Sequence, residues 1–123
     1  MLTATMVVAT LPVTDLDRAR RFYGQTLGLT ELWENPASIR FSCGEHSELS
    51  VFKRPWPETA HTLAHFEVED IEGAVGDLEA KGVTFLDYAE GPLVTTGHIA
   101  TIGPARAAWF TDPDGNALGL RQG

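Results

Sequence analysis

Two stretches of the chain carry the same succession of apolar and polar positions. They are Val8-Ala9-Thr10-Leu11-Pro12-Val13-Thr14-Asp15-Leu16 and Leu63-Ala64-His65-Phe66-Glu67-Val68-Glu69-Asp70-Ile71. Alternation with a period of two predicts a half-buried strand in each. The aspartate before a branched apolar residue predicts a helix N-cap. The stretches lie 55 residues apart throughout, Val8 matching Leu63 and Asp15 matching Asp70. Beyond each cap the period changes. Leu16, Ala19, Phe22, Tyr23 and Leu27 recur at helical spacing before Gly28, and Ile71, Ala74, Val75 and Leu78 before Gly82. Both read as amphipathic helices closed by glycine.

Strand material follows each helix. It is Thr30–Trp33, Ala37–Cys43 and Ser47–Lys53 in the first half, and Val83–Tyr88, Arg106–Thr111 and Ala117–Arg121 in the second. Pro12 inside the first strand predicts a free edge or a bulge there. The run Arg54-Pro55-Trp56-Pro57-Glu58 cannot sit in a central strand and divides the chain. A single domain over 1–123 is therefore expected, with modules 1–54 and 60–123. The glycine-bearing connection Glu90–Pro104 is long for a passive link and is read as a lid or binding loop.

The segments LPVTDLDRARRFYGQTLGL, FEVEDIEGAVGDLEAKGV and AWFTDPDGNALGL, in this order, resemble the vicinal oxygen chelate superfamily. That group includes glyoxalase I, the fosfomycin and bleomycin resistance proteins and extradiol dioxygenases. The resemblance implies an α+β fold, with two βαβββ modules forming a curved mixed sheet around a cleft. It also implies a homodimer and, in metal-dependent members, one divalent ion held by His/Gln and Glu ligands. The ligand positions fall here on Val8, Leu63, Glu48 and Gly119. A catalytic site needs about three protein ligands, and a lone carboxylate does not supply them. No metal and no cofactor is therefore expected. A shifted set of His61, His65 and Glu48 is the alternative.

The period of two assigns faces. If Leu63 faces the cleft, so do His65 and Glu67, with Val8 and Thr10, with Glu48, Ser50 and Phe52, and with Ala117, Gly119 and Arg121. Trp56, Tyr88 and Trp109 are candidates for its rim or wall, and Trp109 fits the core equally. His65 and Glu67 are the candidate catalytic pair, because a carboxylate beside an imidazole favours a general base. Thr10, Glu48, Ser50, Phe52, Trp56, Tyr88, Trp109 and Arg121 are the candidate ligand-binding set.

Composition narrows the partners. Nine basic residues against seventeen acidic ones give a net charge of −8, which argues against nucleic acid or an anionic membrane. The same charge attracts a cationic small molecule, or only keeps the protein in solution. No stretch of about eighteen apolar residues occurs and no leader pattern is visible, so a cytoplasmic protein is expected. The single cysteine, Cys43, excludes an internal disulfide and reads as a buried strand thiol. In TDPDGNALGL, residues 111–120, the glycine is misplaced for a calcium loop, and the aspartates read as turn groups. The expected function is metal-independent binding of a small aromatic or cationic molecule. The alternative is a lyase, isomerase or dioxygenase acting in the same cleft.

Overall fold

The computed structural model describes residues 3, 6–55 and 61–123. Trp56, one of the candidate rim residues, lies outside them. The chain divides into two compact units, Met1–Glu58 and Thr59–Gly123. The architecture is α+β, with one mixed sheet in each unit.

In the first unit β1 (Val8–Val13) leads to α1 (Leu16–Arg20), then to β2 (Thr30–Asn35), β3 (Ser38–Cys43) and β4 (Ser47–Lys53). Asp15 caps α1 by accepting the Arg18 N–H at 3.1 Å. The helix then widens to a π-helical stretch over Arg21–Thr26, where the Leu27 N–H donates to the Phe22 carbonyl at 2.9 Å. Phe22 and Tyr23, adjacent in sequence, are both buried and meet edge to face at 5.1 Å. Gly28 ends the helix at φ +78°, a conformation open to glycine without strain. The sheet order is β1-β4-β3-β2, so Pro12 lies on an edge strand, where its missing N–H leaves no ladder bond unmade. β1 runs parallel to β4, Thr10 opposite Ser50, and Leu11, Val13, Ile39, Phe41 and Val51 pack with Tyr23 as the fully buried core. Cys43 is half-buried at the end of β3, and burial pushes its thiol pKa up, partly offset by a hydrogen bond from Ser47.

In the second unit β5 (Thr62–Glu67) leads to α2 (Ile71–Ala80), capped by Asp70, which accepts the Gly73 N–H at 3.1 Å. β6 (Phe85–Leu86), β7 (Thr95–Thr96), β8 (Ile99–Ile102), β9 (Ala105–Thr111) and β10 (Ala117–Gln122) follow. The sheet order is β5-β10-β9-β8-β7, with β6 paired on β9. Phe110, Leu118, Ile71 and Ala108 are buried at its centre.

Two segments of this unit differ in extent from the sequence expectation. The strand expected over Val83–Tyr88 is paired only at Phe85–Leu86. The connection Glu90–Pro104 contains the β7–β8 hairpin, and β8 extends the sheet along β9. Gly97 and Gly103, both at φ +59°, turn the chain at either end of β8. The hairpin is thus part of the sheet. Among the described residues no helix is long and apolar enough to cross a membrane.

Candidate functional site

The last two strands are joined by Asp112-Pro113-Asp114-Gly115. The Gly115 N–H donates to the Asp112 carbonyl at 3.0 Å, and Gly115 adopts φ +83°. The Asp112 carboxylate accepts the backbone N–H groups of Asp114 (2.9 Å) and Asn116 (2.8 Å) and the Asn116 side-chain amide (2.8 Å). Asp112 is therefore spent on the turn, as expected from the sequence, and the turn sets the register of β10.

That register places His65, Gly119 and Trp109 side by side across β5, β10 and β9. Glu67, Arg121 and Ala107 form the next row. The first row and its neighbours enclose a pocket of about 400 Å³. Thr62 and His65 line it from β5, Gly119 and Arg121 from β10, Ala107 and Trp109 from β9, and Ile102 and Pro104 from the β8–β9 turn. Gly119 is its floor. A Cβ there would lie 3.1 Å from the His65 Cβ and 3.7 Å from the Thr62 Cγ2, so the space beside both residues exists because position 119 has no side chain. Trp109 is half-buried and meets Tyr88 edge to face at 5.6 Å.

Leu63 is not among the lining residues. The ladder between β5 and β10 slips at Ala117/Leu118, so Thr62 and Ala64 pair with successive residues of β10 and Leu63 has no partner. This bulge interrupts the alternation and brings Thr62, rather than Leu63, onto the pocket face beside His65. The His65 Nε2 lies 2.8 Å from one Glu67 carboxylate oxygen, and the Arg121 Nη1 donates to the other at 2.9 Å. Glu67 does not line the pocket itself. Tyr88 reaches the pocket only through its contact with Trp109.

Thr10, Glu48, Ser50 and Phe52 lie in the first unit, on the sheet face opposite the core. Glu48 is engaged there by the Arg40 Nη1 at 2.8 Å, and the Arg40 guanidinium sits 4.9 Å over the Trp33 ring. Phe52 lies under the Arg54 guanidinium at 4.6 Å, Ser50 is buried and Thr10 is exposed. Sequence reading missed Arg40, Trp33 and Thr62, whose roles depend on which residue faces them across a strand pair.

The metal-ligand set implied by the resemblance does not fit this chain. Val8 and Leu63 offer no donor, Glu48 is paired with a guanidinium, and position 119 has no side chain at all. Among the described residues no three His, Cys, Asp or Glu side chains group so as to hold a metal ion.

Residues 5–120 match the family model described as the Glyoxalase/Bleomycin resistance protein/Dioxygenase superfamily. Searches of curated proteins give no match. Among solved structures, the antibiotic binding protein TnmS3 from Streptomyces sp. CB03234 is 25% identical with a TM-score of 0.76, covering 99% of this chain and 98% of its own. A member of the glyoxalase/bleomycin resistance protein/dioxygenase superfamily from Sphaerobacter thermophilus DSM 20745 is likewise 25% identical with a TM-score of 0.76, covering 100% of both chains. The fosfomycin resistance protein FosX from Listeria monocytogenes, 16% identical with a TM-score of 0.75 over 100% of this chain and 95% of its own, shares the fold.

Proposed function

Because the chain belongs to the glyoxalase/bleomycin resistance protein/dioxygenase superfamily, we propose that it binds a small aromatic molecule, without a metal, in the pocket of β5, β10 and β9. One observation carries this reading. The Gly119 floor lies between His65 and Trp109 and leaves about 400 Å³ beside the Trp109 side chain, within the range of small-molecule sites. Aromatic rings stack or meet edge to face at such a wall, each pair contributing about 0.5–1.5 kcal/mol beyond burial. The likeness to an antibiotic binding protein supports the class of ligand. Metal independence is supported by the unsuitable ligand positions and by the pairing of Glu48 with Arg40. A cationic ligand has less support, because Glu67 is already engaged on both oxygens. The proposal includes a homodimer, for which the exposed side chains of Val7, Leu32, Trp33 and Val94 offer apolar surface.

A second reading, an enzyme with His65 as general base and Glu67 as its carboxylate partner, is favoured by their 2.8 Å approach at the pocket edge. Thermal-shift screening of chelator-treated protein against an aromatic library separates these readings. Stabilisation follows the ratio of ligand concentration to dissociation constant. The binder reading expects stabilisation without turnover, lost in Trp109→Ala. Chemical conversion of a hit, abolished by His65→Gln, would establish the enzyme instead. Stabilisation that appears only after metal is restored would overturn both metal-free readings.

A further inference from the structure

The pocket is lined by two nitrogen-bearing ionisable side chains, His65 and Arg121, and by no carboxylate. Glu67 stands beside both, yet faces them and not the cavity. One of its oxygens is 2.8 Å from the His65 Nε2, and the other accepts from the Arg121 Nη1 at 2.9 Å. Each of its oxygens is therefore already engaged by a nitrogen of one of these two side chains, and neither oxygen lines the cavity. Arg121 keeps its Nε and Nη2 donors, which take no other partner among the described residues. A guanidinium presents these N–H groups in a planar fork that matches a carboxylate. The pocket thus offers charged donors at its edge, although the protein as a whole carries −8.

The spacing is equally specific. Trp109 faces Gly119, and Arg121 lies two residues farther along β10, about 6.8 Å by strand rise. Between them Ala107, opposite Arg121, adds only a methyl group. An aromatic ring resting over Gly119 against Trp109 would carry a substituent on its edge to Arg121. We propose that the ligand of this pocket is an aromatic anion, its ring against Trp109 and its carboxylate or equivalent oxyanion on Arg121, with His65 beside it. This rests on the reading of the pocket as an aromatic-binding site. It adds that binding selects against the cationic compounds suggested by the net charge.

The test is an amide and indole chemical-shift titration of the full chain at pH 7 with three matched probes: 2-naphthoate, 2-naphthamide and 2-naphthylmethylammonium. All three share the ring and differ in the group offered to Arg121. The expected order is naphthoate tightest, about tenfold over the amide because its hydrogen bonds are charge-assisted, with the ammonium weakest. The Trp109 indole and Gly119 amide should shift for each probe that binds. Arg121→Gln combined with Glu67→Gln removes the ion pair without stranding a lone carboxylate, and should abolish the acid-over-amide preference, with the Trp109 and Gly119 shifts reporting whether the ring still binds. Retained amide dispersion in this variant shows that it folds, and Arg121→Lys, which keeps the charge but loses the fork, should show an intermediate preference. Equal binding of acid and amide, or preference for the ammonium, would overturn the anion inference while leaving the aromatic site standing. Failure of all three probes to move Trp109 or Gly119 would overturn the site and the inference together.

Discussion

Gly119 acts through the atom it lacks. A Cβ there would lie 3.1 Å from the His65 Cβ, so β5 and β10 would have to give way to admit it. Gly119→Ala is therefore expected to destabilise the protein by about 1 kcal/mol through overpacking and to weaken ligand binding further, read by urea midpoints and by titration. Asp112 is the complementary case, a residue that acts through everything it accepts. Asp112→Ala strands two buried-side N–H groups and the Asn116 amide, and should cost about 1–3 kcal/mol in the same urea experiment. The turn around Asp112 was legible in TDPDGNALGL because Pro, Asp and Gly occupy positions whose φ angles they each favour. The pairing of Arg40 with Glu48 was not, because it depends on β3 and β4 lying antiparallel with Ser42 opposite Glu48, which local pattern does not specify.

Among the elements, the β7–β8 hairpin is held through Thr95, whose Oγ1 accepts the Tyr88 N–H at 3.0 Å and donates to Asp87 at 3.1 Å, and through His98 at its tip. The His98 ring, at a residue with φ +71°, has its Nδ1 2.9 Å from an Asp87 carboxylate oxygen and its Nε2 2.6 Å from a Glu79 carboxylate oxygen of α2, and stacks on Phe85 at 5.1 Å. The two carboxylates, Asp87 first, raise the His98 pKa, and the His98 hydrogen bond lowers that of Asp87. A raised imidazole pKa stabilises the fold fully below about pH 6.5, the ordinary value. That contribution fades as the pH rises through the folded-state value. The depressed Asp87 adds stability that is present above the ordinary carboxylate range and is lost on acidification through its lowered value. Hydrogen exchange over residues 95–102, corrected for intrinsic rates, should therefore show more protection near pH 6 than near pH 8.5. His98→Gln should remove that difference, and an unchanged difference in the variant would rule out the histidine as its source. None of this was readable from the Thr95-to-Gly103 segment, where two strands of two and four residues around Gly97 leave too few positions for a period to appear. The helices and the long strands were readable because each runs for enough residues to display its own period. The bulge at Leu63 shows where period alone fails, since one unpaired residue exchanged Leu63 for Thr62 on the pocket face.

At the scale of the whole molecule, the two mixed sheets repeat a strand-helix-strands order that the 55-residue self-similarity had outlined. The repeat identified the family, since one pattern extended over nearly all of the chain. It did not identify the ligand, because the net charge of −8 belongs to the whole chain, whereas the pocket is lined by His65 and Arg121 and by no carboxylate. The proposed homodimer is tested by light scattering across a dilution series. The expected mass is twice 13.4 kDa, and Trp33→Glu is expected to lower it if the β2 edge contributes to the contact. The central claim is that this chain binds an aromatic ligand without a metal. Calorimetric titration of 2-naphthoate tests it most directly, comparing chelator-treated protein with protein loaded with zinc, nickel or manganese. The claim requires saturable binding to the chelated protein, with an affinity that added metal leaves unchanged. Binding seen only in the metal-loaded protein, at one ion per chain, would contradict it.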